Sequence, residues 1–314
     1  MILDAPPTPA PTSEVLAEVL ESLHRWVQVG GPRPEQYGDF RRLIRRMADG
    51  VRGGEVAQQP LHRELQRLAS GPLRGALQSQ ALLKPHGHAG DFEIIDAIHT
   101  LRVSEVPQLR RWDLFFQAQA APVAVRNRKI WFHQLLSRRI SAYSSDEPLR
   151  VLNVGSGPAR DVWEWMLSHP SAPIQMDCVD LDAHAISFSE SLCGAWSRQI
   201  HFHHQNILKS LPGRGYDLIW CAGLFDYLTD RVATRLLRAL LGALNARGTL
   251  TVGNFSPLNP SRDYMEVFGD WNLHHRSETE LKDLATHAGA DPRSCGVDWE
   301  PTGVNLFLRI GAAR

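Results

Sequence analysis

The sequence predicts an α/β protein: a doubly wound, mostly parallel seven-stranded sheet with an antiparallel C-terminal hairpin, preceded by an all-helical N-terminal domain. Three observations predict it. Apolar residues recur at helical spacing through the first 145 or so residues. After the polar break SSDEP at 144–148, short β-rich runs alternate with helical segments, a pattern that calls for right-handed βαβ units. The last two runs are separated by a tight turn rather than a helix, which makes them an antiparallel pair.

Element by element, Leu16, Val19, Leu20, Leu23, Trp26 and Val27 mark a first helix within 13–28, and Tyr37, Phe40, Leu43, Ile44 and Met47 mark a second. A third helix is expected over 61–83, a fourth around 91–101 and a long one over roughly 123–143, with Gly, Pro and Ser clusters between them. LRVLNV (149–154), IQMDCVDL (174–181), IHFHH (200–204), YDLIWCA (216–222) and GTLTVGNF (248–255) read as strands, with helical segments near Arg160, Ala183, Asp230 and Glu278. CGVDWE (295–300) and VNLFLRI (304–310), joined by PTG, form the closing hairpin. The domains are expected at 1–145 and 146–314.

The composition narrows the function. With 43% hydrophobic and 22% charged residues over 314 positions, the chain can bury a large core. Lys plus Arg and Asp plus Glu both number 34, so no global field draws it to a phosphate backbone or an anionic membrane. The expected partner is a small molecule, not nucleic acid. Cys178, Cys193, Cys221 and Cys295 form no CxxC pair and read as reduced, structural thiols. The start MILDAPPTPAPTSEV is Pro-rich, reads as frayed, and has no basic segment followed by an apolar one. No window reaches the ~18 uninterrupted apolar residues of a membrane span, so a cytosolic protein is expected.

The strongest motif is VLNVGSGPARD at 151–161, a strand running straight into Gly155, Ser156 and Gly157 and then a helix. Glycines there let a ligand approach the backbone, and the helix N-terminus offers free N–H groups to an anion. About 25 residues on, the next strand ends in Asp180-Leu181-Asp182, where an acid can accept hydrogen bonds from both ribose hydroxyls. Asp182 reads as the cap of the helix starting at Ala183, which leaves Asp180 as the ribose ligand and Leu181 against one face of an adenine. Asn206 and Ile207 follow the third strand, and Ala222 and Gly223 end the fourth, at the same sheet edge. A nicotinamide-dinucleotide loop would want a third glycine where Arg160 stands, which disfavours a dehydrogenase.

These four blocks in this order resemble the class I methyltransferases that use S-adenosylmethionine, over roughly residues 149–312. The resemblance implies that the glycine loop meets the methionine part of the cofactor and that the acid holds its ribose. That family usually has Asp where Asn206 stands; Asn206 can still accept a bond from the adenine amino group through its side-chain oxygen. The helical half carries Lys84-Pro-His86-Gly-His88-Ala-Gly90-Asp91-Phe92-Glu93 and Val125-Arg126-Asn127-Arg128. Together with AGLFDYL these are similar to the bacterial methyltransferases that make the methyl ester of a hydroxypalmitic acid, a quorum signal. This implies carboxyl O-methylation, with the helical half as a substrate or lid domain; the tyrosine usual in that pattern is His88 here. An N- or O-methyltransferase of a secondary metabolite, or a module that binds the cofactor without turnover, remains open.

Candidate acceptor-side residues are Tyr227 just beyond the fourth strand, His86 ahead of His88 in a loop that cannot be helix, and Arg262. Arg262, with Tyr264 and Arg276, follows the fifth strand in a long insertion, where a guanidinium could grip a carboxylate or pair with neighbouring acids. Asp226 reads as a helix cap, and Trp131, Trp220 and Trp271 as the tryptophans nearest a ligand. His201, His203 and His204 share a wet strand edge without a further ligand in view, and no metal is assigned.

Overall fold

A computed structural model describes residues 14–311; the Pro-rich start, expected to be frayed, lies outside the described residues. Seven helices precede the sheet: α1 (Glu14–Gln28), α2 (Tyr37–Arg52), α3 (Gln58–Ser70), α4 (Leu77–Leu83), α5 (Phe92–His99), α6 (Pro107–Gln117) and α7 (Ala120–Ser141). The stretch expected as one helix over 61–83 is two. The chain leaves α3 at Gly71 and resumes at Leu77, where the buried Asp113 carboxylate accepts the Leu77 N–H at 2.8 Å. The α6 helix was not expected at all.

The second half alternates as anticipated: β1 (Leu149–Val154), α8 (Arg160–Ser168), β2 (Ile174–Asp180), α9 (Ala183–Cys193), β3 (Ile200–His204), β4 (Tyr216–Cys221), α10 (Asp230–Leu241) and β5 (Leu244–Phe255). Then come α11 (Arg262–Gly269), inside what reads in the sequence as an insertion, α12 (Glu278–Ala288), β6 (Cys295–Trp299) and β7 (Asn305–Ile310). The strands form one sheet in the order β3-β2-β1-β4-β5-β7-β6, with β7 antiparallel to both neighbours and β1 to β5 parallel.

Alternation along each strand serves two faces. Val151, Met176, Leu218 and Phe307 pack with Phe132 and Leu136 of α7 and Trp165 of α8. Leu152, Ile219, Leu250 and Leu308 pack with Leu236 and Leu240 of α10 and Leu281 of α12. The helical half has its own core around Phe40, Trp112 and Phe115, whose rings meet edge to face, and it is completed from the far end of the chain by Phe255, Tyr264, Met265, Phe268 and Val304. The two halves are therefore interlocked through α11, not merely joined at residue 145.

Candidate functional site

The strand order reverses between β1 and β4, and at such a point the loops leaving neighbouring strands diverge and open a crevice at the carboxyl edge. A cavity of about 760 Å³ occupies that crevice, in the upper part of the ~300–1,000 Å³ range of ligand pockets. Its sheet-side wall contains every cofactor-side residue expected from sequence: Gly155, Ser156, Gly157, Asp180, Leu181, Asn206, Ile207, Ala222 and Gly223.

Backbone geometry brings the first of these together. Gly155 and Gly157 have φ of +64° and +53°, where a side chain costs about 1–2 kcal/mol, and a Cβ on Gly157 would meet nothing within 4 Å. That bare Cα leaves the floor open to a ligand. Gly155 and Ser156 donate their N–H groups to Val179 O at 2.8 and 3.1 Å, and Gly157 N–H donates to Asp180 Oδ2 at 2.8 Å. Asp180 Oδ1 accepts from Asp182 N at 3.0 Å. The acid and the glycine loop, 23 residues apart, are thus one hydrogen-bonded unit. Asp182 caps α9 as expected, through His184 N at 2.8 Å. Leu181, 65% exposed, projects at the rim, and Asn206 Oδ1 accepts from Leu208 N at 2.9 Å.

The helical half supplies the opposite wall, including groups that sequence reasoning missed. Arg128 of α7 donates to Ala222 O at 2.8 Å and, among the described residues, forms no ion pair. Burial pulls its pKa down, yet a guanidinium stays charged. His99 is held far below the usual imidazole range by burial and by the nearby cations Lys129 and Arg128, so it is neutral at pH 7. Asn153, next to last in β1, is a polar side chain between the apolar Leu152 and Val154, a signal the sequence did contain. Three buried side-chain atoms on this cavity, Asn153 Nδ2, Ser156 Oγ and His99 Nδ1, have no partner among the described residues, and such groups need a ligand or water to offset their desolvation.

On the acceptor side, Tyr227 and His86 both line the cavity. Tyr227 is 40% exposed, but into the cavity, whose walls desolvate its hydroxyl and raise its pKa; it stays protonated and accepts from Trp271 Nε1 at 2.9 Å. Gly90 lets them close in, since a Cβ there would overlap the Tyr227 hydroxyl and lie 2.6 Å from Trp271 Cζ2. The loop 84–91 carrying His86 and His88 is tied at both ends. Lys84 pairs with Asp270 at 2.5 Å, and Asp91 caps α5 by accepting from Ile94 N at 3.0 Å.

Other expectations are corrected. Arg262 lies outside the cavity and pairs at 2.6 Å with Glu266, one turn along α11, because the insertion is a helix that turns it to solvent. Arg276 is 3% exposed and donates to Phe225 O, Leu228 O, Asn254 Oδ1 and Asp230, fastening the segment after β4 from beneath. Tyr264 donates to Gln78 Oε1 at 2.7 Å inside the helical core. Asp226 caps no helix; it lies in a 3₁₀ turn, accepts from Phe255 N at 2.7 Å, lines the cavity, and is pushed up to about 7 by burial. Trp220 and Trp271 line the cavity, whereas Trp131 stacks on Phe307, 4.9 Å between ring centroids, away from it. His201, His203 and His204 bond individually to Gln175, Asp177 and Leu181 O.

Topology and crevice together define the fold: a seven-stranded α/β sheet, doubly wound, with β7 inserted antiparallel between β5 and β6 and a cavity at the carboxyl edge of the parallel strands, as expected from the sequence. Among solved structures, the chain is similar to a possible exported protein of Bordetella parapertussis, 19% identical, with a TM-score of 0.60 and 83% of this chain and 99% of that one covered. It is also similar to a presumed O-methyltransferase of Nostoc punctiforme, 18% identical, with a TM-score of 0.50 and coverage of 75% and 71%. No protein-family model and no curated protein sequence matches the chain. No described helix is long and apolar enough to cross a membrane.

Proposed function

We propose that the chain is an S-adenosylmethionine-dependent methyltransferase of a small molecule. The observation that carries this reading is the set of buried polar atoms without a partner among the described residues, Asn153 Nδ2, Ser156 Oγ and His99 Nδ1, which line one cavity together with Arg128 and the glycine loop. The residues fit the cofactor. Asp180 would hold the ribose hydroxyls, Leu181 and Ile207 would flank the adenine, Asn206 would accept from its amino group, and Gly155, Ser156, Gly157, Ala222 and Gly223 would carry the methionine part. Arg128 would pair with the carboxylate of that part. When bound, the cofactor supplies an electrophilic methyl on sulfur for in-line displacement, which depends chiefly on positioning.

Tyr227, protonated at neutral pH, would donate to an acceptor oxygen, and His86 would line the acceptor's entry. The finer reading is carboxyl O-methylation of a hydroxy-fatty-acid type of acceptor. A carboxylate needs no base at pH 7, and Phe92, Ile95, Trp271 and Leu273 offer an apolar wall. A second reading, methylation of a hydroxyl or nitrogen of a secondary metabolite, is favoured by Asp226, whose pKa near 7 suits a general base. The four free thiols suit a reducing compartment such as the cytosol.

Labelled-methyl transfer into cell extract tests the proposal. Label lost in alkali supports an ester, and alkali-stable label supports the second reading. Cofactor binding with no labelled product would leave a binding module in place of an enzyme.

A further inference from the structure

Two histidines and an acid from separate segments meet at the cavity mouth. His86 belongs to the 84–91 loop of the helical half, while Asp182 and His184 open α9 on the sheet half. One ligand atom of each lies within 4.8 Å of the others, and the two imidazole rings are 5.2 Å apart between centroids. Asp182 uses Oδ1 to cap α9, and its Oδ2 is buried without a partner among the described residues. A carboxylate held through one oxygen by the His184 N–H and left vacant at the other is oriented to ligate a metal. Glu93 Oε1, 3.6 Å from His86 Nε2, adds a further negative group beside the cluster.

We propose that His86, Asp182 and His184 form a divalent transition-metal site that ties the 84–91 loop to the β2–α9 turn across the mouth of the cavity. Two imidazoles and one carboxylate select zinc, cobalt or nickel over magnesium or calcium, which prefer all-oxygen shells. With bonds of about 2.0–2.2 Å, tetrahedral ligand atoms stand roughly 3.4 Å apart, so ligand atoms that lie within 4.8 Å of one another need to close by at most about 1.4 Å. His184 already lies with Nδ1 3.2 Å from Asp182 Oδ1 and is 75% exposed, so the remaining adjustment falls on its solvent-facing ring and on His86. Three protein ligands leave one coordination position for water or a bound molecule. The site stands independently of the methyl-transfer reading, because its ligands and their separations do not depend on what fills the cavity.

The test uses the full chain, stripped with EDTA and titrated with Zn²⁺ in a calorimeter and with Co²⁺ by visible absorption. The expected result is one ion per chain, with affinity lowered at least tenfold in each of H86A, H184A and D182N; Asn keeps the helix cap while losing the charge. H201A, on the β3 edge, should leave binding unchanged. Absence of saturable one-to-one binding overturns the proposal, as does equal loss in H201A and H184A, which would mark scattered surface histidines. Unchanged affinity in H86A would overturn the tie between the two segments.

Discussion

The two walls of the cavity are built by different means. The sheet-side wall is mostly backbone: Gly155, Ser156 and Gly157 hang from Val179 and Asp180 by their own N–H groups, and short turns from adjacent strands fix every member. The opposite wall is mostly side chains, with Arg128 and His99 reaching the space from α7 and α5 of the helical half and Tyr227 joining them from the turn after β4. A wall made by strand tips has few ways to vary, and suits a part of the ligand that does not change. A wall made by side chains from several helices can be remodelled one residue at a time, and suits selection of an acceptor.

Substitutions on each wall test that contrast. The largest effect is expected for Arg276→Ala, which strips a buried cation from Asn254, Asp230 and two backbone carbonyls beneath the sheet-side wall. Loss of about 3–5 kcal/mol is expected from denaturant unfolding, because the buried acceptors Phe225 O, Leu228 O and Asn254 Oδ1 lose their donor at about 1–3 kcal/mol each. Next, Asp226 is pushed up to about 7, so the folded state holds its proton more tightly than the unfolded chain. Its contribution to stability is greatest below about pH 4 and falls as pH rises to about 7. Asp226→Asn should remove that fall and exceed the wild type at pH 8 by up to about 4 kcal/mol, measured as the difference between their stability–pH curves.

Asp180→Ala should weaken cofactor binding by about 1.5–3 kcal/mol, roughly ten- to a hundredfold, because it removes both the proposed ribose acceptor and the anchor of Gly157 N. Gly90→Ala acts on the other wall. Crowding Tyr227 and Trp271 should cost about 1–3 kcal/mol and raise the acceptor KM, with S-adenosylhomocysteine affinity unchanged. If both parameters shift together, the two walls do not divide the work. Arg262→Ala, at a solvent-facing pair, should change stability by less than about 0.5 kcal/mol and leave kcat/KM unaltered.

The same contrast explains what could be read from the sequence. The strands, the glycine loop, the Asp180 partner and the Asp182 cap depend on residues close in sequence or at a fixed βαβ spacing, and the structure brings them together as expected. Arg128 stood out in the sequence only as a member of Val125-Arg126-Asn127-Arg128, with no site role of its own, and nothing local distinguishes His99 from other helical imidazoles; only packing turns both toward the cavity. The missed α6 did carry a signal, Pro107 at its first position with Leu109, Trp112, Phe115 and Phe116 on one face. The α11 helix was hidden behind Pro257, Asn259 and Pro260, which read as an extended loop, and that misreading made Arg262 look available to a ligand.

Isothermal titration of the purified chain with S-adenosylhomocysteine, and in parallel with NAD, bears most directly on the central claim that the glycine loop and Asp180 grip one adenosyl group. Saturable one-to-one binding of the former, weakened in Asp180→Ala, and no heat with the latter are expected. A folded protein that ignores S-adenosylhomocysteine, or binds it equally well without the Asp180 carboxylate, would contradict it.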